Sequence, residues 1–396
     1  MNLFHEIRYA VRALLRDKAF TFTVLVTLAV CIGANAVTLA IVNSVLLRPL
    51  PVEDADALLL MSNRYPKAGV GDLNQSSVAD YYDRLREITV FSDQALYAFR
   101  SPTVEIEGMW QRISAMRATP SLFKLLRASA AKGRTFTEDE GEPGADKKII
   151  LSHGLWQQLY GGAEDVLGRE LRLNGEPHTV VGVMPQGLVF IDPEVRLWQP
   201  LSFAAEEKES RHSNNWYHVG RLKPGATLQQ AQAQINALNA ANDERFPQWK
   251  EILANAGFHT AVEPLQEVLV RDVKGILYLL WGGALFVLLI GALNIANLAL
   301  VRLTLRKKEL ATRLALGAGS ARLTRQFVLE NVLVTLAGGV AGVALGDTIL
   351  QFLATVGLER LPRAHEIQMD AVVALAALAL AVAVGVMIGL MPLAQA

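Results

Sequence analysis

The sequence predicts a membrane protein with four transmembrane α-helices, one before and three after a large α+β extracytoplasmic domain. Two observations lead there. Of the 396 residues 52% are hydrophobic and only 19% charged, and long runs at the two ends of the chain carry almost no charge. Between them, residues 48–274 are polar, mixed in sign and free of any further spanning run. The net charge of zero averages these two materials and offers no basic surface for nucleic acid. The one cysteine, Cys31, excludes an intrachain disulfide.

Residues 1–18 predict an amphipathic interfacial helix. Leu3, Ile7, Ala10, Val11 and Leu14 make one face, while Arg8, Arg12 and Arg16 recur at i, i+4 and suit anionic head groups. Residues 19–47 hold no charge over 29 positions, more than the roughly 20 apolar residues a helix needs to cross the hydrocarbon core. Ala34-Asn35-Ala36 resembles a signal-peptide cleavage site. The preceding 18 residues are long for the leading segment of such a peptide, and apolar sequence continues to Leu47, so a retained span is expected.

In residues 48–274, strand and helix signals interleave. Asp80–Ile88 reads as a helix, and Ile149–Leu151 as a strand followed by a Ser152-capped helix. Glu170–Leu173 and Thr179–Val183 flank Asn174-Gly175, a dipeptide that favours a tight hairpin turn. Tyr217–Leu222 reads as a strand, Lys223-Pro224-Gly225 as a turn, and Thr227 as the cap of a helix reaching about Asn242. Thr137–Lys148, rich in acid, Gly and Pro, reads as a surface loop. His212 and His218 bracket Ser213–Tyr217, and without ligand spacing around them a solvated loop is expected there, not a metal site.

Residues 275–396 carry three further spans, at about 275–301, 327–358 and 371–393. The middle one holds Glu330 and Asp347, 17 residues apart, or about 25 Å at 1.5 Å per residue. That spacing puts Asp347 near the far interface; a buried relay carboxylate is the alternative. Gly338, Gly342 and Gly346, and then Gly385 and Gly389, stand at the i, i+4 spacing that lets helix backbones approach closely.

The Lys/Arg bias sets orientation. Arg8, Arg12, Arg16 and Lys18 precede the first span, and seven Lys/Arg from Arg302 to Arg325 lie between the second and third. Between the third and fourth there are only Arg360 and Arg363. The N-terminus and the basic segment are thus expected in the cytoplasm and residues 48–274 outside. No G-x-x-x-x-G-K-[ST], G-x-S-x-G, H-E-x-x-H or C-x-x-C sequence occurs, so no nucleotide loop, nucleophile or metal centre is nominated.

The basic segment 306–326, RKKELATRLALGAGSARLTRQ, is then the most informative stretch. A helix at about 304–317 sets Glu309 and Arg313 at i, i+4 and aligns Leu310, Leu314 and Ala318 in one stripe. Gly317 and Gly319 end it and Ser320 can cap the next helix. Arg306 to Ala318 resembles the R-x-x-E-I-x-x-R-x-A-L-G-A signature of FtsX/MacB-type permeases of ABC transporters. Residues 118–140, 151–185 and 219–235 are similar to that family's periplasmic core domain, and the flavour is that of the duplicated orphan permease group.

The resemblance implies a permease subunit in a bacterial inner membrane, with 48–274 a two-lobed periplasmic core domain. A separate cytoplasmic ABC ATPase would dock on Arg306, Glu309, Leu310, Arg313, Leu314 and Gly317. The chain would have no catalytic residue, cofactor or metal of its own, since ATP and Mg would be bound by that partner. A homodimer or second permease half, a periplasmic adaptor and membrane lipid are the other implied partners. Nucleotide-driven motion inside would be relayed outward for export; a regulatory or signalling scaffold is the alternative output. A single permease unit, no internal repeat and no basic tail after the last span fit a fragment or one half of a longer product.

Overall fold

Asp17 starts the first long helix by accepting a hydrogen bond from the Phe20 N–H at 3.4 Å. Before it lies α1, Leu3–Arg16; after it α2, Lys18–Val42, runs on through a π-helical turn at Asn43–Leu47. The computed structural model describes residues 3–69, 75–106, 108–306, 312, 315, 320–356, 363 and 366–390. It divides into two units: Met1–Arg48 with Val270–Ala396, and Pro49–Leu269.

The second unit is one mixed sheet flanked by helices. In chain order its strands are β1 Leu58–Arg64, β2 Phe91–Arg100, β3 Thr103–Ile106, β4 Met109–Arg112, β5 Ala115–Ala118 and β6 Lys132–Gly133. They continue as β7 Lys148–Leu151, β8 Glu170–Leu173, β9 Glu176–Val183, β10 Leu197–Pro200, β11 Tyr217–Leu222 and β12 His259–Pro264. The helices are α3 Val78–Glu87, α4 Leu122–Leu125, α5 His153–Tyr160, α6 Ala205–Glu209, α7 Leu228–Arg245 and α8 Pro247–Ala256. The strand order is β12-β1-β11-β2-β5-β10-β7-β9-β8-β3-β4, with β6 added on β9. The β5–β10 and β7–β9 pairs are parallel, the rest antiparallel.

Strand alternation distributes the apolar side chains over two faces. Leu58, Leu60, Ala95, Tyr97, Met116, Ala118, Ile150 and Trp198 form the main core on one face. On the other, Ala115, Ile149, Leu151 and Leu197 meet Leu155 and Trp156 of α5 at one end of the sheet. At the opposite end Leu59 and Met61 meet Ala231, Ile235 and Leu238 of α7. Asn174 and Gly175, both at positive φ, make the two-residue hairpin turn. With so tight a turn the second strand begins at Glu176, three residues before the sequence signal.

Two sequence expectations are corrected here. Thr137–Lys148 is not simply a surface loop. Thr137 caps a 3-10 turn at Glu138–Gly141, and Glu140 is buried because Arg134 grips both its oxygens at 2.9 and 2.7 Å. His218 is not in a solvated loop. It lies in β11, fully buried, with Nδ1 at 3.1 Å from Arg84 Nη1 and Nε2 at 3.0 Å from Gln94 Oε1. Arginine can only donate, so Nδ1 accepts and Nε2–H donates, which fixes a neutral imidazole. Arg84, 1% exposed, also donates to Ser76 Oγ and Asn63 Oδ1. Burial would push the Asp80 carboxyl up, but Arg84 and hydrogen bonds from Ser77 and Asn63 outweigh it and hold it low.

The first unit is completed by α9, Leu265–Leu305, α10, Ser320–Val356, and α11, Ala371–Leu390. Among the described residues four helices are long and apolar enough to cross a membrane: Lys18–Leu47, Leu265–Leu305, Thr324–Thr355 and Ala371–Leu390. Helix α9 begins ten residues ahead of its charge-free run; its first residues, Leu265–Leu269, belong to the second unit, where Leu265, with Val268 and Leu269 beside it, packs into the core. In the bundle, Val24, Leu28, Ile32 and Ala36 of α2 meet Val334 of α10 and Ala377, Ala381, Val384 and Ile388 of α11. Helix α1 joins the same core through Leu14, with Ala10 and Ala13 also buried. Val11, expected on that face, is 42% exposed.

Burial and the Arg84 charge push the His218 imidazole well below its ordinary value. The unfolded chain therefore binds a proton below about pH 6.5 that the folded chain refuses. Stability is complete above that pH and falls below it, by about 1.4 kcal/mol per pH unit for one proton. Unfolding of the chain in detergent between about pH 5 and 7.5 should show this slope. His218→Gln should reduce it, leaving the contribution of His212, whose imidazole is also pushed down by burial. Asp80, whose carboxyl is held low, adds its own loss only at more acid pH.

Candidate functional site

Among the described residues Glu330 of α10 is the most buried ionisable group of the helical bundle, 2% exposed, and faces the end of α9. Its Oε2 faces Arg306 Nη1 at 3.4 Å and Arg302 Nη1 at 3.6 Å, and its Oε1 accepts from Gln326 at 3.0 Å. Arg302 also donates to the Ala13 carbonyl at 3.1 Å and lies over the Phe20 ring at 4.6 Å. Its Nε forms an ion pair with Asp17 Oδ2 at 3.2 Å. One carboxylate and one guanidinium thus tie together the end of α1, the cap of α2, the last turn of α9 and the first turns of α10.

Of the coupling residues nominated from sequence, Arg306 is described and belongs to this node. Glu309, Leu310, Arg313, Leu314 and Gly317 lie outside the described residues, as do the signature's glycine turn and residues 391–393 of the last span. Glu330 and Asp17 were not nominated. The i, i+4 spacing of Arg302 and Arg306 on one helix face was the legible signal that something acidic must face them.

The nominated glycines sit at helix crossings. A Cβ on Gly342 would stand 3.0 Å from the Ala29 carbonyl and the Gly33 nitrogen, and one on Gly338 would meet the Leu28 Cβ at 2.7 Å. Gly346 faces Gly33 and Ala36, so this row lies along α2. On α11, a Cβ on Gly389 would fall 2.5 Å from the Val328 Cα, and one on Gly385 would strike Thr335. Sequence spacing missed Gly33, which receives Gly342, and Gly339, where a Cβ would meet Ala381 at 2.7 Å.

At the opposite end of α2, Arg48 and Asn43 bond Asp370 at 2.8 and 3.2 Å, and Arg363 pairs with Glu366 while donating to the Arg48 carbonyl. Asp347 is half-exposed and accepts from Gln351 on its own helix at 2.8 Å. Among the described residues no three His, Cys, Asp or Glu side chains converge to hold a metal ion.

A family model described as "MacB-like periplasmic core domain" matches residues 21–238, and one described as "FtsX-like permease C-terminal" matches residues 281–396. The chain is 27% identical over 229 residues to the "Probable syringafactin export ATP-binding/permease protein SyfD" of Pseudomonas syringae pv. tomato, across 57% of this chain and 33% of that protein. It is 25% identical over 238 residues to "Macrolide export ATP-binding/permease protein MacB 1" of Yersinia pestis bv. Antiqua, across 60% of this chain and 35% of that one. It therefore spans about a third of the length of these relatives. The crystal structure of the periplasmic region of MacB from Actinobacillus actinomycetemcomitans aligns at a TM-score of 0.38 and 12% identity, over 56% of this chain and 94% of that one.

Removing one partner from a buried ion pair is costly, and removing both is not. Glu330→Gln should lower the unfolding free energy of the detergent-solubilised chain by about 3 kcal/mol. Glu330→Leu combined with Arg302→Met should recover most of that loss in the same melting experiment. At the crossings, Gly342→Leu and Gly389→Leu should each cost about 1–3 kcal/mol by overpacking. The same change at Gly282, where a Cβ meets nothing within 4 Å, should be nearly silent in thermal melting.

Proposed function

Because the chain belongs to the family of MacB-like periplasmic core domains, joined here to an FtsX-like permease domain, we propose that it is the membrane subunit of an ABC-type export system. In this reading an ATP-binding unit presses on the basic segment between α9 and α10, and the bundle passes that motion to the outer domain. The names of the relatives join ATP-binding and permease in one protein. This chain has no nucleotide loop, so ATP and Mg would be held by that other unit.

The observation that carries the reading is the node at Glu330. A push on the basic segment reaches Arg306 and Arg302 first. Their shared carboxylate, and the contacts of Arg302 to Ala13, Phe20 and Asp17, hand it to α10, α1 and α2. Separate helices joined only by loops would absorb such a push; ion-paired helices in close glycine contact move together.

The Lys/Arg bias supports an orientation with the N-terminus and basic segment in the cytoplasm of a bacterial inner membrane and residues 48–274 outside. The apolar side chains bare on α9, among them Leu279, Phe286, Leu289 and Leu293, suit lipid or the second permease half that an ATP-binding dimer would serve. A periplasmic adaptor could receive the outer domain's motion. The cargo is not transferable from the relatives, whose names carry two different ones, syringafactin and macrolide.

Co-purification and stimulated ATP hydrolysis in proteoliposomes test the coupling. Glu309→Lys should cut both about tenfold while membrane insertion stays normal. An ATP-binding unit whose hydrolysis is indifferent to this chain overturns the proposal. Cargo released in proportion to ATP consumed separates export from a regulatory scaffold, which would move without releasing anything.

A further inference from the structure

The outer sheet carries a polar cleft that the coupling scheme does not use. On the face away from the main core, α5 covers Ala115 and Leu197 at one end, and α3 lays Val78 and Tyr81 over Leu96 nearer the other. Between these covered stretches the same face opens into a cleft of about 460 Å³, within the range of small-molecule sites. Strand alternation puts Arg117, two residues beyond Ala115, and Gln199, two beyond Leu197, on its floor, and the parallel register sets them side by side. Arg100, at the end of β2, and His178 of β9 join them.

The charges in this cleft are unevenly satisfied. Asp146 already accepts from Ser202 Oγ at 2.6 Å, and Glu176 pairs with Lys147 at 3.4 Å. Arg117 stands 3.9 Å from Asp146, beyond hydrogen-bond reach, and among the described residues its guanidinium makes no hydrogen bond. Burial pushes that guanidinium down, and the neighbouring charge of Arg100 adds to the effect against Asp146. Arg100 lies over the Trp216 ring at 5.4 Å and donates to the carbonyl of its own neighbour Phe99. Among the described residues it has no ion pair.

The rest of the floor is pre-set. His178 Nδ1 is 3.0 Å from the Glu176 carbonyl, so it carries the proton, and Nε2 accepts from the Gln199 amide at 3.4 Å. The Gln199 amide is thereby oriented, with its second N–H free to donate beside Arg117.

We infer that this cleft binds a small molecule or head group through an anionic group, carboxylate or phosphate, taken by Arg117 and Arg100 with Gln199 as a neutral donor. Guanidinium forks match both anions bidentately, and burial of Arg117 strengthens the contact. The site belongs to the outer domain alone, so it is testable without nucleotide or an ATP-binding unit.

Isothermal titration of the full chain in detergent with glycerol 1-phosphate and with N-acetylglycine tests the inference, followed by flotation with phosphatidylglycerol vesicles. One-to-one binding of either soluble anion, weakened by salt, is expected. Arg117→Gln should weaken it about tenfold with melting unchanged. Gln199→Glu, which keeps both arginines but adds a repelling charge, should do the same if Arg117→Gln fails to fold. The exposed control Lys250→Gln should bind as the parent does. Soluble-anion binding marks a free metabolite or cargo. Flotation that Arg117→Gln and Gln199→Glu abolish, without soluble binding, marks a lipid head group. No binding in either arm, or equal binding by all variants, overturns the inference.

Discussion

A carboxylate with almost no access to water, at the end of an apolar helix, can stay charged only if cations are held against it. Glu330 meets that constraint with Arg302 and Arg306, and the rest of the helical unit is arranged around the outcome. Arg302 must reach α10 from α9 and also find partners for its other donors. It takes them from the carbonyl of Ala13 and the face of Phe20. The junction of the first two helices is thus fixed by an arginine almost 300 residues away in the chain.

The glycine crossings act on the same helices by a different force. Within hydrocarbon there is no hydrophobic gain from bringing helices together, so close backbone contact and dispersion must supply the attraction. Gly33 against Gly342, and Gly389 against Val328, provide that contact along the length of the bundle. Ion pairs at the foot and glycine seams above it make α2, α10 and α11 a common body. Helix α9 joins this body through Leu288, Ile295 and Ala296, the Asn35 amide on the Ala284 carbonyl at 2.7 Å, and the Arg302 node at its end.

In the outer unit the constraint is different. A sheet of this width needs cover on both faces; α4 packs on the main-core face, and α5, α3 and α7 cover separate stretches of the other. Where cover stops, the period-two pattern brings up Arg117 and Gln199 in place of apolar residues. The buried Arg84–His218–Asn63 network shows the opposite solution, in which the polar groups under α3 bond one another.

Charge-free length alone located three of the four helices long enough to span, because the cost of a charge in hydrocarbon leaves an imprint on every residue of a run. The fourth, holding Glu330 and Asp347, was legible from its apolar length in spite of them. Tight local geometry was equally legible. Asn174-Gly175 announced its hairpin and Thr227 its helix, since such turns and caps depend on residues a few positions apart. The glycine pairs, the arginines that face Glu330, the burial of His218 and the cleft at Arg117 came only from the tertiary structure. Each joins groups tens to hundreds of residues apart, whereas Glu140 is held by Arg134 only six residues away. The sequence states which groups need a partner, but the energy of a contact depends on distance and burial, and these exist only once the chain has folded.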